Sequence, residues 1–262
     1  MFTFIKSVVK SIPELFSRKA NTVDASAPTI NIINKSTILK DADFQLMVEA
    51  CKLQLAQHVA PMWLKGGWNV VVNQADNVGY PIVILDNPDH AGALGYHTES
   101  PNGKVWGRVF VRPVVEAKGT MLTGALSVSA VLSHEVIEAY CDPNVNLWAD
   151  RNNGTMIAYE ACDPVENDSY DMTTSKGAKV AVSNFVLPAW FDAQAAVDAK
   201  FDFMAKLTKP FSMSKGGYLV VMNTRTGKVT NIFGSVKGEL MHGARQVPHP
   251  ASRSARKSAL KS

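Results

Sequence analysis

Apolar positions along this chain switch between helical and strand periods, and the switches mark out its elements. Phe44, Met47, Val48, Cys51, Leu55 and His58 stand at i, i+3, i+4, i+7, i+11 and i+14, the stripe of an amphipathic helix capped by Asp41 or Asp43 and stopped by Pro61. Before it, TINIINK alternates like a short strand, and after it strands are predicted over 68–73, 81–87, 93–99 and 104–113. The turn sequence SPNG between the last two predicts a hairpin. A long apolar helix is expected over about 121–141, ended by Asp142-Pro143. Residues 144–190 are less regular and include the hairpin signal SKGAK. An amphipathic helix is predicted over about 191–207 with Ala193, Val197, Phe201 and Met204 inward, and a last hairpin turns at Thr226-Gly227. Helices and strands in this order define an α+β class whose C-terminal half is irregular and rich in hairpins.

The ends differ from the middle. Residues 1–19 carry a helical stripe through Phe4, Ile5, Val8, Val9, Ile12, Leu15 and Phe16, interrupted by lysines, and 20–28 read as a small, polar linker. Residues 1–28 are thus an N-terminal amphipathic helix and linker, 29–243 the globular body, and 244–262 a basic flexible tail without apolar periodicity. The net charge of +4 belongs to these ends. Residues 1–20 hold four bases and one acid, and 241–262 hold five bases and no acid, which leaves 18 bases against 22 acids in 21–240. A body of that sign argues against a nucleic-acid-binding face and leaves the tails as arms for anionic surfaces. No apolar run reaches the length of a membrane span, and three cysteines, Cys51, Cys141 and Cys162, make a disulfide framework improbable.

Chemistry concentrates in SAVLSHEVIEAYCDP. On a helix His134 and Glu138 project from one face, a turn apart, close enough to hold a single cation, with Glu135 rotated to their side. Six residues that precede them, Ala125, Leu126, Val128, Ala130, Val131 and Leu132, read as buried. Burying three ionisable side chains on such a helix is costly unless they pair or bind metal, whereas a surface helix would carry them as a solvated pair without consequence. A further ligand is sought in YEACDPVEND. Glu160 and Asp163, three apart, face one way on a helical turn, so Glu160 is favoured as third metal ligand and Asp163 as the group that orients His134 from behind. Cys141, Asp142 and Cys162 compete, although a buried thiol and a turn before Pro143 account for them as well.

The segments SHEVIEAYCDP, YEACDPVE, VSNFVLPAWFD and PFSMSKGGY resemble a family of mostly uncharacterised proteins of phages and prophages, over about residues 40–235. That family is similar to zincin-type metallopeptidases in its short HExxE helix and in the elements before it. The resemblance implies a zincin-like mixed sheet, with a helix before it and the metal-motif helix after it. It also implies a divalent metal, zinc foremost, on His134, Glu138 and Glu160, and Glu135 as the catalytic base. A metal-dependent peptidase acting on a peptide or protein in the host cytoplasm is one expectation. The other is a non-catalytic virion or assembly protein that docks on neighbouring subunits through its basic arms. Glu138 stands where HExxH has histidine, and one imidazole with two carboxylates neutralises a zinc ion, weakening its pull on water and favouring harder cations. His97 is a candidate for the substrate cleft, and Tyr140, Tyr159 and Tyr170 are candidate oxyanion donors, each with an ordinary packing role as the alternative.

Overall fold

The structure is a computed structural model that describes residues 27–89, 92–100 and 102–234. The expectations for the N-terminal helix and the basic tail lie outside those residues.

Four short apolar segments form the parallel part of a five-stranded mixed sheet: β1 (Thr29–Asn34), β2 (Asn69–Val72), β3 (Tyr80–Leu85) and β5 (Val105–Phe110). The fifth strand, β4 (Gly95–Glu99), runs antiparallel to β5, His97 opposite Gly107, and the strand order is β2-β1-β3-β5-β4. This hairpin closes as its sequence predicts, with Gly103 N–H bonded to the Ser100 carbonyl at 2.9 Å. Ile30, Ile32, Ile82 and Ile84 are completely buried in the strands β1 and β3. Burying each such side chain contributes about 1.5–3 kcal/mol.

Helix α1 (Asp41–Gln54) uses the predicted stripe, burying Phe44, Met47, Val48 and Cys51. Its N-cap is Lys40 with no side-chain cap bond, not Asp41 or Asp43. Pro61 does not stop it either. The chain passes through a wider π turn at Leu55–Val59 into α2 (Ala60–Trp63) and leaves the helix at Leu64, whose φ is 51°. A proline has no N–H to give to the preceding turn and crowds its carbonyls, and a π turn relieves both. After β5 the chain forms α3 (Val111–Glu116), which the sequence reading took for the end of a strand. The motif helix α4 (Val128–Cys141) starts about seven residues later than expected, because Ser127 caps it by accepting the Ala130 N–H at 3.2 Å.

Beyond α4 lie a four-stranded antiparallel sheet and a hairpin. The sheet, ordered β11-β10-β7-β6, comprises β6 (Trp148–Asp150), β7 (Thr155–Ala158), β10 (Tyr218–Asn223) and β11 (Val229–Phe233). The hairpin of β8 (Ser169–Thr173) and β9 (Lys179–Ser183) realises the SKGAK signal. The helix expected over 191–207 is absent. Phe185 and Leu187 exchange backbone bonds with Phe201 and Phe203, and the Asp202 carboxylate accepts from the Leu207 N–H and the Asn184 amide, so an extended bridge takes the backbone groups a helix would have used. Val197, assigned inward, is 98% exposed.

Helices α1 and α4 touch each other on the sheet, and α4 lies across β3, β5 and β4 with β9 on its other flank. Space for α4 depends on Gly95. Its φ is unremarkable, but a methyl group there would stand 2.7 Å from both Val131 Cγ1 and Glu135 Oε1 and 3.1 Å from the Arg108 carbonyl oxygen. Gly95→Ala should therefore destabilise the protein by about 1–3 kcal/mol in urea unfolding, the cost of overpacking a filled core. An unchanged midpoint would show that β4 and α4 are not in contact.

Candidate metal centre

Every residue of α4 is buried, including five polar or charged ones, Ser129, Ser133, His134, Glu135 and Glu138. A buried helix must give each polar side chain a partner. Ser129 Oγ donates to the Ala181 carbonyl at 2.7 Å, and Ser133 Oγ accepts the Ser183 N–H at 2.7 Å, so the two serines tie α4 to β9. At the other end Lys65 Nζ reaches the Cys141 carbonyl at 2.6 Å, a cation on the negative pole of the helix. Anchored on both sides, α4 presents its acids and histidine to a fixed point.

Six side chains meet there. His134 Nε2 lies 3.2 Å from Glu138 Oε2 and 3.3 Å from Asp163 Oδ1. His97, reaching in from β4 with a side chain only 5% exposed, places Nδ1 3.2 Å from Glu135 Oε2 and from Glu138 Oε2, and Nε2 3.2 Å from Glu160 Oε2. The other oxygen of Glu138 accepts the Cys162 N–H at 3.0 Å, which pins the loop carrying Glu160 and Asp163 against the helix. Within this cluster His97, Glu135 and Glu138 form one set of ligand atoms lying within 4.8 Å of one another, and His134, Glu138 and Asp163 form a second. Nitrogen and oxygen donors that spread over no more than about 4.4 Å can share one cation at 2.0–2.2 Å, so each set is close to the size of a metal site.

The protonation states show how much opposite charge the cluster wants. Burial works against a charged His97, but Glu160, Glu135 and Glu138 outweigh it and raise its pKa well above 6.5. His134 is raised in the same way, with Glu138 and Asp163 prevailing over desolvation. Burial raises Asp163, with Glu138 adding to the effect, and burial likewise raises Glu135 against the pull of His97. Glu138 goes down: burial opposes its charge, yet two imidazoles beside it win. These directions favour charged imidazoles beside Glu138 and protonated Asp163 and Glu135. A divalent cation would displace these protons, since it binds the unprotonated ligands.

Of the residues singled out in the sequence, His134, Glu135, Glu138, Glu160 and Asp163 do converge, but their partners are exchanged. Asp163 stands beside His134 and Glu138, where Glu160 was expected, while Glu160 stands behind His97. The 3₁₀ turn at Asp163–Val165 places Asp163 differently from the α-helical turn on which the expectation rested. His97 belongs to the centre itself, beyond the cleft role that its place on a strand suggests. The signal was there in Gly95-Tyr96-His97: residues two apart share a strand face, and the glycine leaves room for Glu135. Cys141 and Cys162 belong to neither set, and burial pushes both thiols up, keeping them protonated. Tyr140 donates to the Gly66 carbonyl, Tyr170 bonds with His58 and Gln54, and Tyr159 stacks on Phe191, so none of the three faces the cluster. Two other tyrosines do: Tyr218 on β10, hydrogen-bonded to Asp163, and Tyr80 on β3. Tyr80 is 4% exposed, its hydroxyl has no hydrogen-bond partner, and its pKa is raised by burial and by Glu135, Glu160 and Glu138.

Comparison of the chain with protein-family models, with curated proteins and with solved structures finds no match. Among the described residues no helix is long and apolar enough to cross a membrane.

The shifts fix the sign of a pH effect. Imidazoles raised above 6.5 stabilise the folded state fully below that pH and lose the contribution as pH climbs through their folded values. Raised Asp163 and Glu135 act in the same direction, whereas depressed Glu138 contributes above about pH 4.5 and weakens only on acidification. In EDTA the melting temperature should fall from pH 6.5 to 8.5, and saturating zinc should remove or reverse that fall. Identical pH profiles with and without zinc would show that no cation binds the cluster.

Proposed function

We propose that the protein is a metal-dependent hydrolase of the zincin type that cleaves peptide bonds. The observation that carries this reading is the convergence of His134 and Glu138, from one fully buried helix, with Asp163 from the following loop, next to an antiparallel edge strand. A mixed sheet with β4 at its edge and α4 packed beneath supports a zincin-like arrangement, as does the HExxE spacing. The sequence resemblance supports a phage or prophage source.

His134 Nε2, Glu138 Oε2 and Asp163 Oδ1 would hold the cation, and the imidazole-carboxylate donor set fits zinc, with manganese as the harder alternative. When bound, such an ion polarises the scissile carbonyl and acidifies water. Glu135 supplies the proton transfers. Its carboxylate takes one proton from the attacking water as the new carbon–oxygen bond forms, then delivers it to the amine nitrogen as the carbon–nitrogen bond breaks. A raised pKa suits that double duty, because a carboxyl that holds its proton more firmly is also the stronger base. As the last strand of the sheet, β4 would be the one with which an extended peptide pairs to lie across the helix.

Two substitutions test the reading. Glu135→Gln should leave the ion on His134, Glu138 and Asp163 in place and lower cleavage of a peptide library by about 10²–10⁴. His134→Ala should abolish cleavage and release that ion together. Hydrolysis unaltered in Glu135→Gln, followed by mass spectrometry of the products, would remove the mechanism.

A further inference from the structure

We infer that the centre holds two divalent cations bridged by Glu138, the second on His97 Nδ1, Glu135 Oε2 and Glu138 Oε2. The inference rests on the reading of His134, Glu138 and Asp163 as a cation site and extends it across the cluster. Glu138 is the only residue common to the two sets of ligand atoms, and its Oε2 stands 3.2 Å from His97 Nδ1 and 3.2 Å from His134 Nε2. Its other oxygen is engaged by the Cys162 N–H, so the carboxylate is held with one oxygen between two imidazoles. That is the posture of a bridging ligand in sites whose two ions stand about 3.5–4 Å apart.

Charge points the same way. Nitrogen ligation needs both imidazoles neutral, which leaves Glu135, Glu138, Glu160 and Asp163 as four carboxylates around one buried point. A single divalent ion offsets two of these charges. A second offsets the remaining two, and buried charge left unmatched is costly. Glu160 falls into place as the carboxylate behind a metal-binding imidazole, since it faces His97 Nε2 while Nδ1 faces the ligand set.

One observation outside the carboxylates also calls for a ligand. The Tyr80 hydroxyl is buried without a partner, and His97, Glu135, Glu160 and Glu138 all act on it electrostatically. It is a donor for an acceptor that comes with the ion. With the second ion bound through Oε2, only Oε1, on the side of Gly95, is left on Glu135 for proton transfer.

The test is metal stoichiometry of the full-length protein, stripped with EDTA and titrated with zinc chloride alone, with bound zinc per chain counted by elemental mass spectrometry after gel filtration. Wild type should bind two zinc ions, and His97→Gln and His134→Gln one each. Glu138→Gln should weaken both, by tenfold or more. Loaded with manganese instead, wild type should give the electron paramagnetic resonance spectrum of a spin-coupled pair, collapsing to an isolated-ion spectrum in His97→Gln. Wild-type stoichiometry and the manganese spectrum decide the matter even if a variant does not fold. One ion or none per wild-type chain, or a count unchanged by His97→Gln, overturns the second site. Two ions in a protein that cleaves no peptide would remove the hydrolase reading and leave the second site standing. One ion with cleavage lost in Glu135→Gln would do the opposite.

Discussion

Glu138 is the residue on which the rest of the structure depends. It lies on a helix that is buried on every side, where an isolated carboxylate would be driven to take up a proton, yet its surroundings hold it ionised. One oxygen receives the Cys162 N–H and the other faces two imidazoles. Through the first contact Glu138 fixes the loop that delivers Glu160 and Asp163. Through the second it ties α4 to β4, and with it the sheet edge to the helix beneath. The fold and the site therefore share one electrostatic linchpin, and the serines and lysine along α4 hold it in register.

A protein that buries six ionisable side chains at one point sacrifices stability unless something binds there. Apolar side chains of similar volume would fill the same space at less cost, since desolvation of charges is only partly repaid by their mutual attraction. The raised imidazoles, Asp163 and Glu135 are the signature of that cost in the metal-free state. Divalent cations turn the same groups from a burden into ligands, so binding energy and folding energy become linked.

Much of this was legible in the chain. The strands of the five-stranded sheet, the three hairpin turns with glycine and the stripe of α1 follow from period and turn chemistry alone, and the HExxE helix announces itself because three ionisable residues interrupt an apolar run. What escaped was set by contacts distant in sequence. The 191–207 segment has the spacing of a helix, but Phe201, Asp202 and Phe203 are claimed by Leu187, Asn184 and Phe185, so tertiary hydrogen bonds override the local pattern. His97 is 37 positions before His134 and looks like any strand histidine until the sheet order puts β4 over α4. Tyr80 joins the cluster only because β3 lies next to β5. The exchange of Glu160 and Asp163 turns on the conformation of a few loop residues, which composition does not encode.

Anomalous diffraction at the zinc absorption edge, from crystals of the full chain grown with zinc, tests the central claim most directly. The account predicts a strong anomalous peak bounded by His134 Nε2, Glu138 Oε2 and Asp163 Oδ1, each at about 2.0–2.2 Å from the ion. Zinc-grown crystals with no peak among these atoms, and with the two imidazoles still paired directly to the carboxylates, would contradict it.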